Sequence, residues 1–362
     1  MSQVGNHSFE FPASQGVQGG TVTLFLTIPG RSLARFLASD NYGHTLARSQ
    51  REINPNRVRK FLNYLTNADS RNEPFIIPPL VGNCDSNIEF VPFGNTNVGI
   101  ARIPLDAEIK LFDGQHRAAG IEIFCRSSPS TLMVPMMLTM NLPLKTRQQF
   151  FSDINNNVSK PSATINMAYN GRDDIAQGMI SFLTQHTVFA DITDFEHNVV
   201  PLKSNMWVSF KALTDATSKF ARNGNQQLEM GYIESVWEAW ITLTQIDSIR
   251  HGVHHATYKR DYIQFHGVMI NAFGFAVQQM MVNHSIAEIT SMIEKLCATT
   301  SSAEREDFFL MDNWAGICTK ASQEKLSVIA NVAAQKAAAN RLIQAFTKGS
   351  LILPSNSGHA AK

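Results

Sequence analysis

Ile109-Lys110-Leu111-Phe112-Asp113-Gly114-Gln115-His116-Arg117-Ala118-Ala119-Gly120 decides how the chain is read. Residues 109–112 have the apolar character of a strand and residues 118–124 that of a helix, so residues 113–117 fall on a strand-to-helix turn. That turn carries a carboxylate, a glycine, an amide, an imidazole and a guanidinium. A helix start leaves backbone N–H groups unpaired at the positive end of the helix dipole, which suits an anion. Gly114 lets the backbone approach a ligand closely, and Arg117 adds a planar fork matched to phosphate oxygens. A plainer reading stands beside this one: Asp113 caps the helix, and His116 and Arg117 are its exposed first turn.

Around the turn the first half of the chain alternates between short apolar runs and turn residues. Residues 21–28, 75–80, 87–91, 98–103, 108–112 and 131–140 are predicted strands. The run at 131–140 is apolar throughout, as a central strand requires. A short helix is predicted at 31–38. Residues 55–65 form an amphipathic helix, with Val58, Phe61, Leu62 and Leu65 on one stripe and Asn54-Pro55 as its start signal. Arg57, Arg59 and Lys60 ride its other faces, and Arg51 precedes it. Such a charge run is read either as a solvated surface or as a basic patch that faces phosphate. Residues 1–20, polar and glycine-bearing, are predicted as a flexible lead-in.

After Met140 the pattern turns helical. A helix is predicted over 144–156, with Phe150, Phe151 and Ile154 inward, and Asn155-Asn156-Asn157 breaks it. Further helices are predicted at 234–249, 261–281, 286–297 and 322–348. Tyr262, Phe265, Met269, Ala272 and Ala276 make one long stripe, Ser301 and Glu304 match a capping box, and Gly349 closes the last helix. That helix is alanine-rich, which suits close packing or a self-association face in a homo-oligomer. The expected fold class is α+β: a mixed-sheet α/β domain at 21–142, a mostly helical domain at 143–349, and a flexible tail at 350–362.

The pentapeptide Asp113-Gly114-Gln115-His116-Arg117 resembles the signature of the DGQHR-domain family, and most closely its DndB group, from bacterial DNA phosphorothioation (dnd) systems. Residues 51–65, the 75–80 run with its Pro-Pro, the Phe151-Ser152-Asp153-Ile154-Asn155 segment with Lys160, and residues 262–274 are similar to the family pattern too. More distantly the turn looks like that of the ParB/sulfiredoxin superfamily, where it cradles nucleotide phosphate or contacts DNA. The resemblance implies a ParB/sulfiredoxin-like first domain and a repressor that binds double-stranded DNA at the promoter of its own operon, with other dnd proteins as partners. It implies site residues Gly114, Gln115, His116 and Arg117, joined by Asn155 and Lys160. Two alternatives stay open: an enzyme that binds or hydrolyses a nucleoside triphosphate or nicks DNA, with His116 as its acid or base and Asp113 holding a metal or orienting that histidine, and a non-catalytic subunit of the modification machinery.

Composition bounds these readings. The chain has 362 residues, 44% of them hydrophobic, and its 31 Lys and Arg against 30 Asp and Glu leave a formal net charge of +1. Global charge therefore gives no push towards nucleic acid, and any DNA contact must come from local patches. Cys84, Cys125, Cys297 and Cys318 form no Cys-x-x-Cys pair, which predicts reduced, buried thiols. No apolar run approaches a membrane span, residues 1–20 lack an apolar signal core, and the expected location is cytoplasmic. His251, His254, His255 and His266 invite a metal reading, but no His-Glu-x-x-His pattern accompanies them and no metal is expected. Lys203, Trp207, Phe210 and Lys211 interleave basic and aromatic groups as nucleic-acid surfaces do, and as the edges of partly buried helices do more often. A catalytic phosphodiester site usually gathers several metal-binding carboxylates, and the turn supplies one.

Overall fold

The computed structural model describes residues 7–37, 53–128, 131–156, 161–223, 226–322 and 325–351. The chain is α+β and divides into two compact units, Met1–Ser159 and Lys160–Lys362. The boundary lies beyond the expected one at 142, because the helix over 144–156 packs with the first unit.

The first unit holds strands β1 (Ser8–Gln18), β2 (Thr21–Pro29), β3 (Leu80–Cys84), β4 (Glu89–Pro92), β5 (Val98–Pro104), β6 (Ile109–Asp113) and β7 (Met133–Met140). Its helices are α1 (Leu33–Phe36), α2 (Pro55–Ser70), α3 (Gln115–Ser127) and α4 (Leu144–Asn156). The seven strands form one mixed sheet in the order β4-β5-β1-β2-β7-β3-β6, antiparallel except for the parallel β3–β7 pair. Alternation sorts its faces. Leu24, Leu26 and Ile28 pair with Leu138, Met136 and Val134, and all six are buried with Ile121 and Phe124 of α3 in one core. The intervening Thr23, Val81, Met137 and Thr139 face the other way, where Phe150 and Ile154 of α4 help line a cavity of about 310 Å³.

Two expectations for this unit are corrected. The lead-in predicted over 1–20 contains β1, which pairs with β5 on one edge and β2 on the other. Its ladder uses backbone groups, so a polar, glycine-bearing sequence satisfies it, and Phe11 and Ala13 supply the buried positions. The strand predicted at 75–80 begins only at Leu80, since Pro78 and Pro79 have no N–H to give a ladder. Helix α2 starts as expected: Asn54 accepts from the N–H groups of Asn56 and Arg57, with Pro55 in the first turn.

The second unit is mostly helical. Its elements are α5 (Ala163–Ala168), α6 (Asp174–Gln185), α7 (Phe189–Ile192), β8 (Thr193–Asp194), β9 (Val208–Ser209), α8 (Phe210–Phe220), β10 (Arg222–Asn223) and β11 (Gln226–Gln227). There follow α9 (Met230–Thr244), α10 (Ile246–Ile249), α11 (His255–Asp261), α12 (Gly267–Met280), α13 (Ile286–Thr299), α14 (Ser302–Phe308), β12 (Thr319–Ser322), β13 (Lys325–Val328) and α15 (Val332–Lys348). Helix α12 is the hub and packs on α8 and α15. Trp237, Trp240, Phe273, Phe309 and Phe346 form an edge-to-face and tilted aromatic cluster around it.

Here too the sequence is partly overruled. The helix predicted at 261–281 breaks at Tyr262, whose backbone is extended, because Tyr262 and Ile263 bond to the chain at Leu310 and Phe309 before α12 begins. The helix predicted at 322–348 starts at Val332; the strongly helix-forming residues before it are drawn into the β12–β13 hairpin. The capping box of Ser301 with Glu304 forms, as does a second one, Ser285 with Glu288. Gly349 closes α15 in the left-handed conformation. Of the tail expected at 350–362, Leu351 is buried in the helical core, and residues 352–362 lie outside the described residues. Among the described residues no helix is long and apolar enough to cross a membrane.

Candidate functional site

The turn after β6 is shaped by a bulge. Val81 pairs with Asp113 and Gly82 with Leu111, so Phe112 is the extra residue in the β3–β6 ladder. Leu111 keeps its place in the sheet core, while Phe112, also buried, meets Phe150 of α4 edge-on at 6.0 Å. Gly114 then turns the chain with φ 95°, and a Cβ there would lie 2.5 Å from a Leu80 methyl. Helix α3 starts directly after it, three residues before the apolar run suggests. Its first intrahelical bond runs from Ala118 N–H to Gly114 O, so the N–H groups of residues 115–117 precede the ladder.

The charged residues of the turn are already engaged. Asp113 does not cap α3; no side chain does. Its carboxylate accepts from Arg117 Nη2 at 2.7 Å, and the same guanidinium nitrogen donates to Pro79 O at 3.2 Å. Arg117 Nε is buried and finds no acceptor among the described residues. His116 Nε2 accepts the backbone N–H of Asn54 at 3.0 Å, which ties the turn to the start of α2 and leaves Nδ1 to carry the proton of the neutral ring. Gln115 donates back to Leu111 O at 3.2 Å.

A small cavity of about 60 Å³ opens beside this turn. Asp113, Gly114, Gln115 and His116 line it, with Phe112 beneath. Arg57 reaches it from α2, and Phe151 and Asn155 reach it from α4. Asn155 is oriented by its own bond to Phe151 O at 2.7 Å. The predicted residues therefore divide. Gly114, Gln115, His116, Arg57 and Asn155 converge on the cavity. Arg117 stands behind it, locked on Asp113. Arg59 and Lys60 are exposed on α2 and do not line it. Arg51 and Lys160 lie outside the described residues. Phe112 and Phe151 were not anticipated; the signal for Phe112 is the adjacent apolar pair Leu111-Phe112, which breaks strand alternation.

The other candidates fall elsewhere. Trp207 and Phe210 are 2% and 0% exposed and belong to the core of the second unit, while Lys203 is exposed and Lys211 half-buried, so the run offers no surface on which basic and aromatic groups interleave. Three histidines of the 251–266 group have separate surroundings: His254 meets the Thr257 hydroxyl, His255 the Trp207 ring, and His266 donates from Nε2 to Lys259 O at 2.7 Å. Among the described residues no cluster of three or more His, Cys, Asp or Glu side chains is placed to hold a metal. Cys84, Cys125 and Cys318 are buried and Cys297 is half-buried, all as free thiols that burial pushes above the ordinary thiol range.

Sheet and turn together define the class: an α+β protein whose mixed sheet ends, at an edge strand, in a polar strand-to-helix turn. The chain belongs to the DndB family, described as DNA-sulfur modification-associated, whose family model matches residues 11–345. That membership links it to DNA sulfur modification systems. No curated protein and no solved structure matches the chain significantly.

Proposed function

We propose that this protein is a DNA-binding regulator of a DNA sulfur modification gene cluster, and that the Asp113–Arg117 turn holds a backbone phosphate of double-stranded DNA. The observation that carries this reading is the convergence of Arg57, Gln115, His116 and Asn155, from three helices, on one small cavity at a helix start. Arg57, Arg59 and Lys60 are all exposed on α2; Lys60 lies one turn from Arg57, and Arg59 points to the opposite side of the helix. At about 60 Å³ the cavity accepts a few waters or one small anionic group, whereas sites that enclose a drug-sized ligand are roughly 300–1,000 Å³. Size thus favours a phosphate on a polymer that stays outside over an enclosed nucleoside triphosphate. Phosphate contacts position a protein without reading sequence, so operator choice needs further contacts to base edges.

The test is a salt titration of binding to DNA from upstream of the gene cluster beside random DNA of equal length. The regulator reading expects the upstream fragment to bind at least about 10³-fold tighter, and deletion of the gene to raise transcription of its neighbours. Equal binding of both fragments with unchanged transcription would sink it. DNA nicking or nucleotide turnover abolished by Asp113→Ala or His116→Ala would put an enzyme in its place.

A further inference from the structure

The second unit contains a larger cavity that the turn-centred reading leaves unused. It encloses about 460 Å³, within the size range of small-molecule sites. Trp207, Tyr258, Tyr262 and Phe265 wall it, with Tyr258 and Tyr262 stacked face to face at 4.1 Å and 14°. Val199, 82% exposed, lines it from the 195–207 segment that joins β8 to β9. The start of α12, at Gly267, contributes backbone N–H groups ahead of the first helical bond.

The wall also holds Lys259, which is 7% exposed. An ammonium has three N–H donors, and among the described residues the acceptor found for this one is Ser204 O at 2.7 Å. No carboxylate pairs with it there. Its charged neighbour, Asp194, spends its oxygens on the N–H groups of Glu196 and His197 and on the His197 ring. Buried charges are normally paired, and an unpaired one costs stability that a hydrophobic side chain of similar length would restore. A lysine that served only to pin Ser204 O would need one donor, not a charge facing an aromatic cavity.

We propose that this cavity binds a small molecule in which a flat apolar ring carries an anionic group, the ring against the aromatic wall of Trp207, Tyr258, Tyr262 and Phe265, whose own rings are in mutual contact, and the anion on Lys259 at the start of α12. Either a nucleoside monophosphate or an aromatic carboxylate has this chemistry. The proposal is independent of the DNA-binding reading.

The full chain is titrated calorimetrically with adenosine 5′-monophosphate and with benzoate, each beside its neutral counterpart, adenosine or benzamide. One anion should bind saturably, and its neutral counterpart should bind at least about tenfold more weakly, a difference of about 1.4 kcal/mol. Binding of adenosine 5′-monophosphate alone identifies the nucleotide source, and binding of benzoate alone the aromatic acid. Lys259→Met should abolish binding and raise the melting temperature, a combination that a purely structural lysine would not give. The wild-type chain supplies a measurement free of any folding defect. Burial brings Lys259 down to about 8, so anion affinity should fall as pH rises from about 7 to about 9.5. The titratable groups facing Lys259 are Asp194, His255, His266, Tyr258 and Tyr262; burial holds both histidines below their ordinary range and both tyrosines above theirs, so these four stay neutral across that interval. Absence of binding by both anions at about 1 mM, equal binding of the neutral compounds, or wild-type binding by a folded Lys259→Met chain would each overturn the proposal.

Discussion

The turn at Asp113–Arg117 and the cavity around Lys259 treat charge in opposite ways. In the turn, Asp113 and Arg117 neutralise one another at 2.7 Å, and His116 is spent on the backbone of Asn54. The cavity beside them is small and polar, and the cation that lines it, Arg57, is exposed. Around Lys259 the space is several times larger and aromatic, and among the described residues the cation is buried without a counter-charge in contact. A self-neutralised turn holds its shape before any ligand arrives and contributes geometry. An unpaired buried ammonium contributes affinity, at a standing cost to the fold. Charge density in the sequence marks the first arrangement and is silent about the second.

The largest expected effect tests that standing cost. Lys259 titrates near 8 when folded, against an ordinary value of 10.5. Between these values the unfolded chain holds a proton that the folded chain has released, so this group makes stability rise with pH in that window. Below pH 8 the Lys259→Met chain should therefore be the more stable, by up to about 3 kcal/mol, and the gap should close by about pH 10.5. The buried thiols and tyrosines, common to both chains, cancel in the difference. Denaturant melts of the two chains at several pH values measure it, and a gap constant with pH would remove the unpaired charge from the comparison.

Arg117→Ala comes next. It strips Asp113 and Pro79 O of their donor, and a hydrogen bond to a charged group is worth about 1.5–3 kcal/mol. Stability and DNA affinity should fall together. If affinity alone fell, Arg117 would be a direct phosphate ligand and the turn would not be self-neutralised.

Two glycines sharpen the contrast on a finer scale. Gly114→Ala meets a positive φ and a Leu80 methyl and should destabilise by about 1–3 kcal/mol. At Gly267, beside the larger cavity, an added Cβ meets nothing nearer than Ala212 Cβ at 3.9 Å, so alanine there should be neutral or stabilise by about 0.4–1 kcal/mol. Thermal melts of both variants would check the pair, and an equal response would show that the turn carries no special backbone requirement.

The smallest effect on stability belongs to Arg57→Ala. The side chain is exposed, and the change should stay within about 0.5 kcal/mol. Its effect should instead appear in the log–log salt dependence of DNA binding, whose slope should shrink by about 0.9. An unchanged slope would return Arg57 to the solvated surface.

What the sequence revealed follows the range of the interactions involved. Asn54-Pro55 before α2, Ser301 with Glu304, and Gly349 after α15 act within one helical turn and are visible in the chain. The α+β class and the strand-turn-helix setting of the pentapeptide were visible for the same reason. β1 was missed because its partners are β5 and β2, and backbone pairing leaves no mark on a polar sequence. The β12–β13 hairpin was missed because pairing overrode helix propensity. Arg57 and Asn155 meet the turn only through the packing of α2 and α4. The Lys259 cavity joins residues 198–209 to residues 258–267, and no local spacing encodes that meeting.

One feature of the sheet bears on how the turn breathes. β6 is the last strand in the order; among the described residues it pairs within the sheet only with β3, across a bulge, and Leu37 adds a bridge at Ile109. The turn therefore hangs from the margin of the sheet, while β2 and β7 are paired on both sides. Margins of this kind detach in partial openings that leave the rest of a domain closed. Amide protons of β6 should exchange with solvent well ahead of those in β2 and β7. A ligand that bridges the turn to Arg57 and Asn155 would fasten this margin from outside, and the β6 amides would register its arrival as slowed exchange while the centre of the sheet stayed as it was.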